Sequence, residues 1–214
     1  MNAVTHYPAT PSRGALLVLA HGAGAGRSHP FTVRVAEGVA ARGVDVVTFD
    51  FPYMASGRKT PDRLPVLLDS FRNVVDHARH AHAVSGHHVF VGGKSMGGRI
   101  ATHLATEAIQ SLRGAIALGY PLHPPGRPDR LRVDHLPDIK VPLLVVQGER
   151  DAFGPPNELG PALDAVPTSV TIHAVRDGDH SLKVRKSSGQ SQDAVYGNVL
   201  DTIADWIHLH AGRT

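Results

Sequence analysis

Residues 92–98 read Gly-Gly-Lys-Ser-Met-Gly-Gly, and two chemistries compete for them. A phosphate loop needs Gly-x-x-x-x-Gly-Lys-Ser, which would put its first glycine where His88 stands. His88 to Val91 also reads as strand, leaving too few loop amides to wrap a polyphosphate. Gly93-Lys94-Ser95-Met96-Gly97 instead satisfies Gly-x-Ser-x-Gly, in which a serine sits on a strained strand-to-helix turn and glycines let strand and helix pass closely. A dinucleotide fingerprint fails as well: a start at Gly22 needs glycine where Arg27 stands, and a start at Gly24 needs it at His29. No cofactor is expected.

A serine hydroxyl attacks only when a histidine takes its proton and a carboxylate holds that histidine's tautomer. On a turn of this kind the three follow in the order serine, acid, histidine. Asp151 lies in "GERDAFG", after the apolar run Leu143–Gln147, and His180 lies in "RDGDHSLK", after the run Val170–Val175. Glu149 shares the first loop and stays open as the orienting acid. Asp177 and Asp179 are so near His180 in the chain that they read as turn formers. The oxyanion of acyl transfer needs two amide donors. These are expected from the backbone N–H of Met96 and from Ala23, which sits between Gly22 and Gly24. Lys94 and His21 are the candidate substrate-binding residues; Arg58, Lys59 and Lys183 would join Lys94 in an anion-tolerant entrance.

Elements that place these residues are visible in the hydropathy. Short apolar runs at Ala15–Ala20, Val44–Phe49, His88–Gly92, Ala115–Gly119, Leu143–Gln147 and Val170–Val175 read as six strands, apolar on both faces and so suited to a parallel sheet covered by helices on each side. Helices are expected at Phe31–Ala41, Asp62–Ala83, Met96–Ser111, Asn157–Ala165 and Ser191–His210. The fold class is therefore α/β, with residues 1–214 as a single domain. In a parallel sheet the loops bearing Ser95, Asp151 and His180 leave by the same edge, where ligands of open α/β sheets bind. Tyr120 to Val141, rich in Pro and Arg, shows no helix and reads as a flap or a surface excursion.

Composition removes other classes. With 42% hydrophobic and 19% charged residues and no long apolar run, the chain has no candidate membrane span. Met1 to Arg13 lacks secretory features, so cytoplasm is the expected address. There is no cysteine, hence no disulfide, thiolate metal site or cysteine nucleophile. Net charge is +3, but Arg127–Arg132 and Lys183–Lys186 carry no interleaved aromatics, so they read as solvated loops and no nucleic-acid partner is expected. The histidine-rich stretch 77–88 lacks supporting carboxylates, and no metal is expected there.

As a set, "LAHGAGAG", "FDFPYM", "GGKSMGG", "YPLHPPG", "QGERDAFG" and "GDHSLK" resemble the compact α/β-hydrolase-like family that includes testis-expressed protein 30, related to the dienelactone-hydrolase group. The resemblance runs from about Leu16 to Trp206. It implies an α/β-hydrolase fold with a minimal six-stranded sheet, in the order 2-1-3-4-5-6 for the strands named above, without a large cap, and with Ser95, Asp151 and His180 as triad. The expected activity is that of a serine hydrolase acting on a small-molecule ester or thioester. Because that family also contains a scaffold subunit of a chromatin-acetylating complex, the alternative is a non-catalytic binding or scaffold protein.

Overall fold

The computed structural model describes residues 3–81, 88–109 and 111–212. Its strands are β1 (Val4–Tyr7), β2 (Ala15–Ala20), β3 (Asp45–Phe49), β4 (His88–Lys94), β5 (Leu112–Leu118), β6 (Leu143–Gly148) and β7 (Val170–Val175). Its helices are α1 (Pro30–Ala40), α2 (Pro52–Ala55), α3 (Leu64–Ala81), α4 (Met96–Leu104), α5 (Pro156–Leu163) and α6 (Gln192–Ala211). The strands form one sheet in the order β1-β3-β2-β4-β5-β6-β7, parallel except for β1, which runs antiparallel to β3.

β2, β3 and β6 are buried along their whole length because helices cover both faces of the sheet. On one face Phe71 and Val74 of α3, Ile100 and Leu104 of α4 and Leu159 of α5 pack over the sheet. On the other, Val35 and Val39 of α1 meet Val199, Ile203 and Trp206 of α6. The parallel register sets Ala20 at the end of β2 beside Phe49 of β3 and Gly93 of β4, so the strand ends gather at one edge. Among the described residues, no helix is long and apolar enough to cross a membrane.

The structure departs from the sequence reading at several elements, among them the short helix α2, which no expected helix covered. A seventh strand, β1, lies at the sheet edge; only one of its faces is part-buried, so "VTHY" carries no apolar run to announce it. The helix expected to reach Ser111 stops at Leu104, where the hydroxyl of Thr106 bonds the carbonyl of His103 (2.8 Å). The strand expected from Ala115 begins at Leu112. The 120–141 excursion has a single helical turn, Leu136–Asp138, and is pinned to the core by Leu122, Leu136 and Ile139, all essentially buried. Of the histidine-rich stretch, His82 and His87 lie outside the described residues; among those described, no group of three His, Asp or Glu is placed to hold a metal.

Candidate active site

β4 runs straight into α4 through Ser95, whose φ of 51° and ψ of −115° are far from the conformations a side-chain-bearing residue prefers. Holding it there costs roughly 1–3 kcal/mol, which the surrounding structure must overcome. Ser95 N–H donates to Leu118 O (2.9 Å) and Ser95 O accepts from Arg99 N–H (3.0 Å), tying the turn to β5 and to the first turn of α4. The flanking glycines are required by close approach. A Cβ on Gly97 would sit 2.6 Å from the carbonyl oxygen of His21, and one on Gly93 would sit 2.5 Å from the Gly97 carbonyl carbon.

The loop after β6 presents Asp151 with its side chain fully shielded from solvent. Its Oδ1 accepts from Phe153 N–H (2.9 Å), and its Oδ2 accepts from Gln147 Nε2 (3.0 Å) and from His180 Nδ1 (2.8 Å). The turn after β7 presents His180. Asp179 Oδ1 builds that turn by accepting from Ser181 N–H (2.7 Å) and Lys183 N–H (2.9 Å). The Phe153 ring lies against the imidazole, centroids 4.2 Å apart. His180 Nε2 is 2.9 Å from Ser95 Oγ. With Nδ1–H directed at a carboxylate, Nε2 carries the lone pair and accepts from the serine hydroxyl. A hydroxyl so placed can pass its proton to the imidazole while its oxygen attacks an electrophile.

Ser95 opens onto a cleft of about 990 Å³, whose lining includes Ala23, Met96, His180 and Lys94. Met96 begins α4, where the first N–H groups have no acceptor within the helix, and Ala23 lies in the turn closed by Ala25 N–H donating to Gly22 O (3.2 Å). Glu149, the other acid considered for the histidine, is turned away, its Oε2 accepting from Asp177 N–H (3.0 Å).

His21 corrects the role expected for it. It is fully buried and absent from the cleft wall; Nδ1 meets Gly22 O (2.8 Å) and Nε2 accepts from Phe51 N–H (3.1 Å), so both nitrogens tie the ends of β2 and β3 together. Burial lowers its pKa, in keeping with a neutral ring. Lys94 does line the cleft, but its ammonium is buried without a hydrogen-bond partner among the described residues, 5.8 Å from the Phe31 ring centroid. Burial pushes its pKa down to about 8, against the pull of Asp151 and Asp179. Lys183 joins the lining, whereas Arg58 pairs with Asp62 (2.7 Å) and, like Lys59, stays off it.

Sequence reasoning passed over Gln147. It is fully buried; Oε1 accepts from Tyr120 N–H (2.7 Å), and Nε2 reaches Asp151 Oδ2 and Gly154 O (2.6 Å). A polar side chain ending the run "LLVVQ" was the available signal, because a buried amide has to be bonded. Arg99 and Arg132 were also missed as cleft-lining residues.

Comparison with known proteins matches residues 13–208 to the alpha/beta hydrolase domain family. A dienelactone hydrolase from Anabaena variabilis is 19% identical with a TM-score of 0.75, over 97% of this chain and 91% of that one. XC6422 from Xanthomonas campestris, a lidless α/β serine hydrolase, is 18% identical with a TM-score of 0.75, over 95% and 88%. A monoacylglycerol lipase from Paleococcus ferrophilus is 16% identical with a TM-score of 0.73, over 98% and 99%. At these identities the likeness is one of fold.

Proposed function

The chain belongs to the alpha/beta hydrolase domain family, and from that premise we propose that it is a serine hydrolase cleaving a small ester or thioester through an acyl-enzyme on Ser95. The observation that carries this reading is the unbroken chain from Asp151 through His180 (2.8 Å) to Ser95 Oγ (2.9 Å) at the mouth of a cleft. Likeness in fold to a lidless serine hydrolase supports it.

Ser95 Oγ bonds to the acyl carbon while its proton passes to His180 Nε2. As the bond from acyl carbon to leaving group breaks, His180 returns that proton to the departing alcohol or thiol. Water then repeats the sequence in reverse, its proton passing through His180 to Ser95, and the acid is released. Asp151 holds the imidazole tautomer and stabilises its cation, and the amides of Met96 and Ala23 stabilise the oxyanion. A fluorophosphonate probe tests the assignment: the wild type becomes labelled and Ser95→Ala does not. Absence of labelling in the wild type favours a non-catalytic binding protein.

A further inference from the structure

Charge in the cleft is one-sided. Arg34, Lys94, Arg99, Arg132 and Lys183 line it, and the one carboxylate on its wall among the described residues, Asp62, is paired with Arg58 (2.7 Å). Arg34 is satisfied by Asp193 (2.9 Å) and lies over the Tyr196 ring. Arg99 and Arg132 have no such arrangement: neither forms an ion pair with a carboxylate among the described residues.

Three separate costs fall on this pair in the free protein. Arg99 is part-buried, and desolvation is the main cause lowering its pKa. Arg132 adds like-charge repulsion; Tyr120 pulls the other way. Arg99 also sits at the start of α4, the positive end of the helix macrodipole, in a first turn holding no acidic residue to offset it. Arg132 is nonetheless fixed in place. Its N–H donates to Leu122 O (2.9 Å), its carbonyl accepts from Tyr120 Oη (2.6 Å), and Nη1 donates to Pro121 O (3.2 Å). Two guanidinium groups brought to one cleft from different elements, without counter-ions, make an arrangement that an incoming anion relieves.

Given the serine-hydrolase reading, on which this inference rests, we propose that Arg99 and Arg132, with Lys94 beside Ser95, form an anion subsite and that the ester cleaved at Ser95 carries a free carboxylate. A carboxylate is the anion that a half-ester of a dicarboxylic acid brings with it, and its two oxygens match the donor fork of an arginine.

The test compares 4-nitrophenyl pentanoate with two esters bearing a carboxylate: 4-nitrophenyl hemiglutarate, on the acyl side, and 3-carboxy-4-nitrophenyl pentanoate, on the leaving group. In the wild type, kcat/KM for one of the carboxylate esters exceeds that for the neutral ester by about tenfold or more. In Arg99→Gln and Arg132→Gln, with folding checked by fluorophosphonate labelling, that ratio falls toward unity, mainly through KM. Independently of any variant, glutarate competes with 4-nitrophenyl pentanoate in the wild type and glutaramide does not. Equal turnover of all three esters, a preference surviving both substitutions, or equal effects of glutarate and glutaramide each overturn the subsite. Ser95-dependent turnover of pentanoate without anion preference removes this inference alone; a wild type with neither turnover nor labelling removes the parent reading.

Discussion

One wall of the cleft is backed by a saturated set of hydrogen bonds, and the other is starved of counter-ions. On the first, Ser95 and His180 are backed by the buried Asp151 and Gln147, each engaging the next, and Phe153 closes the series with both its amide and its ring. On the second, the Lys94 ammonium has no hydrogen-bond partner among the described residues, and Arg99 shares the lining with Arg132, whose like charge works against it. Behind Arg99, His103 and His135 stack with centroids 3.5 Å apart, and His103 Nε2 is buried with no hydrogen-bond partner among the described residues. Burial pushes these two rings down to about 4 and about 3, with the Arg99 charge reinforcing the shift. The contrast separates two ways of building a site. Bonded groups are preorganised before anything binds, whereas cations without counter-ions store an electrostatic demand that an anion or a charge-removing substitution meets.

Breaking the saturated wall has the largest expected effects. Asp151→Asn can no longer hold the histidine tautomer, and kcat/KM on a 4-nitrophenyl ester falls roughly ten-thousandfold. Glu149→Gln, altering a carboxylate that among the described residues accepts only from Asp177 N–H, leaves turnover within a few-fold. Near-normal turnover in Asp151→Asn with collapse in Glu149→Gln would reassign the orienting acid. Gln147→Leu removes the acceptor of Tyr120 N–H and the donor to Gly154 O inside the core, and denaturant titration should read a loss of about 4 kcal/mol. Unchanged stability would mean that these backbone groups find other partners, and the saturated wall would owe little to that amide.

What the sequence disclosed follows the same division. The sheet was legible because helices on both faces force uninterrupted apolar runs, and parallel strands send their following loops to one edge, so Ser95, Asp151 and His180 could be grouped without coordinates. Asp151 was the acid chosen from the sequence, with Glu149 kept as the alternative because topology alone does not separate them. Both occupy one loop, and the turn joining Asp151 N–H to Gly148 O (3.1 Å) decides which of them faces inward. β1 stayed hidden because a half-exposed edge strand has no need of an apolar run. Arg132 read as part of a solvated basic loop, since nothing local reveals that its backbone is tied to Tyr120 and Leu122 and its side chain faced toward the cleft. His21 was misread because a histidine at a strand end beside glycines has the same local signature whether it binds substrate or clamps two strands.

Relieving the starved wall sharpens the comparison from the other side and carries the smallest effect. Lys94→Met keeps the aliphatic stem and removes the unbonded charge. Below about pH 8 the lysine is protonated in both folded and unfolded chains, so the native state bears the whole cost of burying it. Between about 8 and the ordinary 10.5 the native amine is neutral while the unfolded chain still binds the proton, so raising the pH favours the native state; above 10.5 both are neutral and the cost has gone. Asp151 and Asp179 face the ammonium and limit the shift without reversing it. The variant should therefore be more stable than the wild type at pH 7, by on the order of 3 kcal/mol. The difference in melting temperature should close as the pH is raised from about 8 to 10.5. Because both proteins share every other titrating group, only Lys94 can generate that closing gap. A variant less stable at pH 7, or a gap indifferent to pH, would show that the ammonium is already satisfied and that the two walls do not differ in the way the geometry indicates.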